Sequence, residues 1–140
     1  MKARTTIALI ATFFGFIACE SQAADWSSDY GIAYRTAQLE KKPLLIVLEK
    51  SSEPRARIRQ VSTSLVQRDS ALLSAYKLCR IDVTTEEGSQ IAELFGATEF
   101  PQIAITDKQV DQIIFRKTGT FSDLEWASML VSYKKGKRPL

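Results

Sequence analysis

Leu44-Leu45-Ile46-Val47-Leu48 is an unbroken apolar run with Lys41-Lys42 before it and Glu49-Lys50 after it. Strands with one face in water alternate apolar and polar residues, because successive side chains point to opposite sides. A run without alternation is expected of a strand covered on both faces, and such strands sit inside sheets with helices packed above and below. This stretch constrains the architecture more than any other.

The neighbouring segments fit around it. Tyr30, Ala33, Tyr34 and Ala37 recur at i, i+3, i+4 and i+7, so the pattern predicts an amphipathic helix over 29–40, with Ser28 as its cap and Lys41-Lys42-Pro43 as its end. Pro54 suits the first turn of a second helix, where its missing N–H is not needed, and Ile58, Val61 and Leu65 give that helix an inward stripe. Residues 71–75 predict a further helical turn, and 76–83 a second strand containing Leu78 and Ile81. Ile91, Leu94 and Phe95 mark a short helix that Gly96 stops. Residues 102–106 and 111–115 predict two strands joined by an Asp107-Lys108-Gln109-Val110 hairpin turn. In the last segment Ser122 and Glu125 have capping-box spacing, and Leu124, Ala127 and Val131 share one face. Strands separated by helices pair in parallel and a short hairpin is antiparallel, so a mixed sheet with helices on both faces follows.

A chain of 140 residues with 45% hydrophobic residues has material for one globular domain, and a net charge of +3 does not argue for nucleic acid. The first residues read as an export signal. Lys2 and Arg4 precede an uncharged run from Thr5 to Cys19, followed by Ser21-Gln22-Ala23 with small residues at the positions a signal peptidase reads. The run falls short of the ~20 apolar residues of a membrane span. Cleavage after Ala23 is expected, giving a signal peptide over 1–23 and a domain over 24–140. Phe16-Ile17-Ala18-Cys19 loosely resembles a lipobox, so a lipid anchor on Cys19 is the alternative. The mature chain would carry +2 and one thiol, Cys79, and therefore no internal disulfide. Lys134, Lys135, Lys137 and Arg138 form a basic tail from about 134. It reads first as a solvated end and otherwise as a contact to anionic lipid or polymer.

This element order, with these local words, resembles the thioredoxin-like superfamily. "KKPLLIVLEKSSEPR" is similar to that family's first core strand and active-site turn. Aligning Pro54 with the proline of the family's Cys-Gly-Pro-Cys puts Ser52 and Arg55 at the two cysteine positions. "CRIDVTTEEGSQIAELFGATEFPQIAI" is similar to the next strand, the short helix and the loop with the family's cis-proline, which Pro101 matches. "KTGTFSDLEWASML" resembles the closing turn and helix. The resemblance covers roughly residues 26–133 and implies a three-layer α/β fold with a C-terminal antiparallel hairpin.

It also implies that the family's chemistry is lost. Disulfide exchange needs a thiolate to attack and a second thiol to resolve the mixed disulfide, and neither Ser52 nor Arg55 supplies one. The family's buried acid falls on Ile46. The sequence has no histidine, so Ser52 has no imidazole base and histidine zinc sites are excluded; no catalytic residue, metal or cofactor is implied. In the family the loop before the cis-proline pairs through its backbone with an extended partner segment. The resemblance therefore points to a binding groove made of Ser51, Ser52, Glu53, Pro54, Arg55, Phe100, Pro101 and Gln102. Arg55 and Arg59, four apart near a helix N-terminus, could contact an anion, although a capped and solvated helix end reads the same way. Cys79 reads as a small buried hydrophobe, with a reactive thiol as the alternative. The expected function is an exported, redox-inactive binding or assembly module for an extracytoplasmic protein or extended peptide. A thiol-dependent protein using Cys79 or Cys19 with a partner's cysteine is the competing reading.

Overall fold

The computed structural model describes residues 25–50 and 71–140. The export signal, the Ser51–Arg55 turn, Arg59 and the predicted helix carrying Ile58, Val61 and Leu65 all lie outside the described residues.

A five-stranded sheet organises the described chain. Its strands are β1 (Trp26–Ser27), β2 (Leu44–Glu49), β3 (Lys77–Asp82), β4 (Gln102–Thr106) and β5 (Ile113–Thr118), in the spatial order β1-β3-β2-β4-β5. β3 runs parallel to both β1 and β2, whereas β4 is antiparallel to β2 and β5 is antiparallel to β4. The helices are α1 (Tyr30–Glu40), α2 (Glu86–Leu94) and α3 (Asp123–Tyr133), with a helical turn at 71–73 leading into β3.

All six residues of β2 are buried, as its apolar run requires. Its alternate side chains feed two separate cores. Leu44, Ile46 and Leu48 face Ala33 and Ala37 of α1, Cys79, and Ala92 and Phe95 from the α2 region. Leu45 and Val47 face Leu73, Tyr76, Leu78, Ile103 and Ile105, closed over by Trp126, Met129 and Leu130 of α3. Ala33 and Ala37 have no exposed surface; their small side chains let α1 lie close to the sheet, with Tyr30 and Tyr34 filling the margins.

Several boundaries and faces differ from the sequence reading. Asp29, not Ser28, caps α1: its Oδ1 accepts the Ile32 N–H at 3.0 Å. β1 was not expected; two residues are too few to show a period, and the pairing of Trp26 with Leu78 is purely tertiary. β5 starts at Ile113 rather than Asp111, because Asp107 Oδ1 accepts the N–H groups of Asp111 and Gln112 and so extends the turn. Arg116 and Lys117 then continue the strand at the sheet edge, where polar side chains meet water. The face of α3 is the largest correction. Ser122 caps it as expected, accepting the Glu125 N–H, but Leu124 and Val131 are 80% and 50% exposed. Trp126, Met129 and Leu130 form the buried stripe, anchored by the Tyr76 hydroxyl, which donates to the Leu130 carbonyl at 2.6 Å. Leu94 of α2 likewise faces water, while Gly88 and Ala92 are buried.

These faces are separable by mutation. Leu130→Ala is expected to lower unfolding stability by about 2–5 kcal/mol, the range for truncating a buried leucine. Leu124→Ala, on the same helix, should stay within about 0.5 kcal/mol of the parent. Urea unfolding of both variants measures the difference, and equal losses would contradict the assignment of the buried stripe.

Candidate functional site

The candidate site lies where β2 ends and β4 begins. The antiparallel register pairs Leu48 with Gln102, and continuing it sets Lys50 beside Phe100. The Lys50 Nζ indeed sits 5.7 Å from the centre of the Phe100 ring. The chain leaving β2 at Lys50 is therefore a neighbour of the loop before Pro101; Ser51, Ser52, Glu53, Pro54 and Arg55 lie outside the described residues.

That loop follows Gly96, whose φ of +64° suits a residue without a β-carbon and ends α2. It leads to a cis peptide between Phe100 and Pro101. Pro101 is fully buried and its carbonyl accepts the Gly119 N–H at 2.9 Å, which ties the loop to the end of β5. Gln102 is 3% exposed, so its side chain presents almost no surface. Phe100 alone of the three presents surface, with one side packed on the α1-facing core. Among the described residues, the main chain of Glu99 and Phe100 makes no hydrogen bond. Donors and acceptors of this segment thus remain available to an added strand.

Sequence reasoning missed the charged pair beneath this region. Glu49, at the last position of β2, is 5% exposed, and Arg80 of β3 reaches it in a two-pronged contact: Nε to Oε1 at 2.5 Å and a terminal nitrogen to Oε2 at 3.2 Å. The Arg80 guanidinium is also 5.7 Å from the centre of the Trp26 ring. A planar guanidinium matches both carboxylate oxygens at once, which ties the last residue of β2 to β3. The available signal was a carboxylate closing an otherwise apolar strand, but its partner lies thirty-one positions away.

Cys79 pairs in register with Ile46 on the α1 side of the sheet and has no exposed surface. Burial, helped by the nearby Asp29 carboxylate, pushes its thiol up from an ordinary value near 9 to about 12. The thiolate is the nucleophile in sulfur chemistry, so this thiol is held in its inert form near neutral pH. Among the described residues no group of three histidine, cysteine or carboxylate side chains stands together to hold a metal ion.

Solved structures superpose on this architecture. A thioredoxin from Thermus thermophilus superposes with a TM-score of 0.64 at 20% identity, covering 82% of this chain and 92% of that one. The chain has a thioredoxin-like fold. The DsbH oxidoreductase matches 96% of this thioredoxin-like chain and 94% of its own at 16% identity, with a TM-score of 0.57. Thioredoxin NaTrxh from Nicotiana alata matches 78% of it and 85% of its own length at 15% identity, with a TM-score of 0.55. No protein-family model matches the sequence, and no curated protein matches it.

The state of Cys79 gives a prediction for this thioredoxin-like chain. In the folded protein a maleimide should react with Cys79 far more slowly than in denaturant. Its folded pKa lies above the unfolded one, so the folded state holds this proton more tightly. The stabilising contribution is present below about pH 9 and is lost as pH rises towards 12. Cys79→Ala should therefore flatten the alkaline decline in stability over that window; an unchanged profile would place the titration elsewhere.

Proposed function

We propose that this chain is an exported binding module that uses the thioredoxin-like groove without dithiol chemistry. In this reading the cis-Pro101 loop takes an extended segment of an extracytoplasmic protein or peptide by backbone pairing. The Ser51–Arg55 turn forms the opposite wall.

The observation that carries the reading is the unpaired main chain of Glu99 and Phe100 next to the exposed face of Phe100. Strand addition draws its affinity from main-chain groups, so it does not need the missing cysteines. An aromatic ring beside such a groove supplies apolar area at low entropic cost. Against the competing thiol reading stand the burial of Cys79 and the absence of any Cys-x-x-Cys pair in the sequence. Export rests on the pattern of residues 1–23.

Photo-crosslinking from position 52 in cells tests the groove. A captured partner whose yield falls roughly ten-fold in Phe100→Ala supports it, a loss typical of a central aromatic contact. Capture that ignores Phe100 argues against it. The purified protein should not accelerate insulin reduction by dithiothreitol; robust turnover would overturn the redox-inactive assignment. Mass spectrometry of the mature N-terminus distinguishes cleavage after Ala23 from lipidation of Cys19.

A further inference from the structure

The opposite end of the sheet carries a second feature. Five steps along extended β4 separate Pro101 from Thr106, roughly 17 Å at strand rise. Beyond Thr106, the Asp107–Val110 hairpin turn meets the C-terminal tail that follows α3. The two enclose a recess of about 380 Å³ with Ile114 as an apolar wall. That volume lies at the small end of the ~300–1,000 Å³ typical of ligand sites.

The recess is built rather than incidental. The basic side chains of the tail are exposed, as a solvated end requires, but its backbone folds back onto the hairpin: Gly136 is buried, its N–H donates to the Tyr133 carbonyl at 2.9 Å, and its φ is +67°. A β-carbon at position 136 would stand 2.7 Å from the Lys108 Cγ and 3.0 Å from the Lys108 backbone nitrogen. Only glycine permits this contact. It brings Lys135, Lys137 and Arg138 around Lys108 from a segment far away in sequence.

The charge is one-sided. Four cations face one carboxylate, Asp107, and that carboxylate already accepts the N–H groups of Asp111 and Gln112 at 2.9 and 3.4 Å. None of the four cations forms an ion pair among the described residues. The full chain carries a net +3, so this one recess holds an excess as large as that of the whole protein. Converging like charges repel one another, and an anion placed between them relieves that repulsion. Lysines act on phosphate as point charges and arginine as a fork, so a mixed set suits a compact anion carrying several negative charges.

We infer that the recess between the 107–110 hairpin and the 135–138 tail binds a multivalent phosphate group. The group belongs either to a soluble phosphate compound or to an anionic lipid headgroup. This site is independent of the groove at Pro101.

Titration calorimetry of the full chain with inorganic pyrophosphate tests the site at low salt. Saturable binding that weakens as salt screens the charges is expected. Lys108→Gln combined with Arg138→Gln should weaken it at least about ten-fold, since charge-assisted contacts of this kind are the strong ones. Gly136→Ala leaves every charge in place and should also weaken it several-fold, because it forces the tail off the hairpin; circular dichroism checks that both variants fold. No saturable binding, or wild-type binding by either variant, would overturn the inference. A tetraglutamate peptide that binds as tightly as pyrophosphate would do the same. Flotation with phosphatidic acid vesicles identifies the source: binding that pyrophosphate displaces assigns a headgroup, and pyrophosphate binding without flotation assigns a soluble compound. Pro101→Ala should leave pyrophosphate binding unchanged, which separates this site from the groove.

Discussion

Burial of β2 on both faces is the constraint from which the other parts of the structure follow. Each of its side chains must meet an apolar neighbour, so the chain has to supply two cores rather than one. Leu44, Ile46 and Leu48 demand α1 and the Phe95 region on one side. Leu45 and Val47 demand Trp126, Met129 and Leu130 on the other. Its backbone must be paired along both edges as well, and β3 and β4 provide that. Because β4 pairs antiparallel with β2, its start lies against the end of β2. The Pro101 loop thereby comes to the place where the chain leaves the sheet after Glu49.

The two candidate sites occupy opposite ends of the same strand and use different physics. At the start of β4, unpaired main-chain groups of Glu99 and Phe100 sit beside an aromatic surface, an arrangement suited to extended polypeptide. At its far end, cations from the hairpin and the tail converge on a small recess, an arrangement suited to compact anions. Between them the strand is buried and paired along both edges. The Glu49–Arg80 contact stiffens the first end further, since it locks the last residue of β2 to its parallel neighbour.

Much of this was legible in residue order. The apolar run of β2, the Ser122–Glu125 cap and the Gly96 stop are local signals, written within a few positions of one another, and the structure keeps them. The likeness around Pro101 was legible because a short run of residues carries it. What was misread depended on direction rather than pattern. In α3 the residues Leu124, Ala127 and Val131 have helical spacing, and so do Trp126, Met129 and Leu130. Periodicity admits both stripes, and the larger apolar area of the second set decides which one turns inward.

By itself, then, the sequence determined a mixed sheet flanked by helices and a chain without a Cys-x-x-Cys pair, since these follow from hydrophobic pattern, turn residues and the spacing of Cys19 and Cys79. Tertiary structure alone decided that Arg80 meets Glu49, that Trp26 adds a strand beside Leu78, and that Gly136 draws a basic tail against Lys108. The reason is common to all three. Each joins segments far apart in the chain, and such contacts are chosen by the geometry of the assembled sheet, of which no local window of residues holds a record.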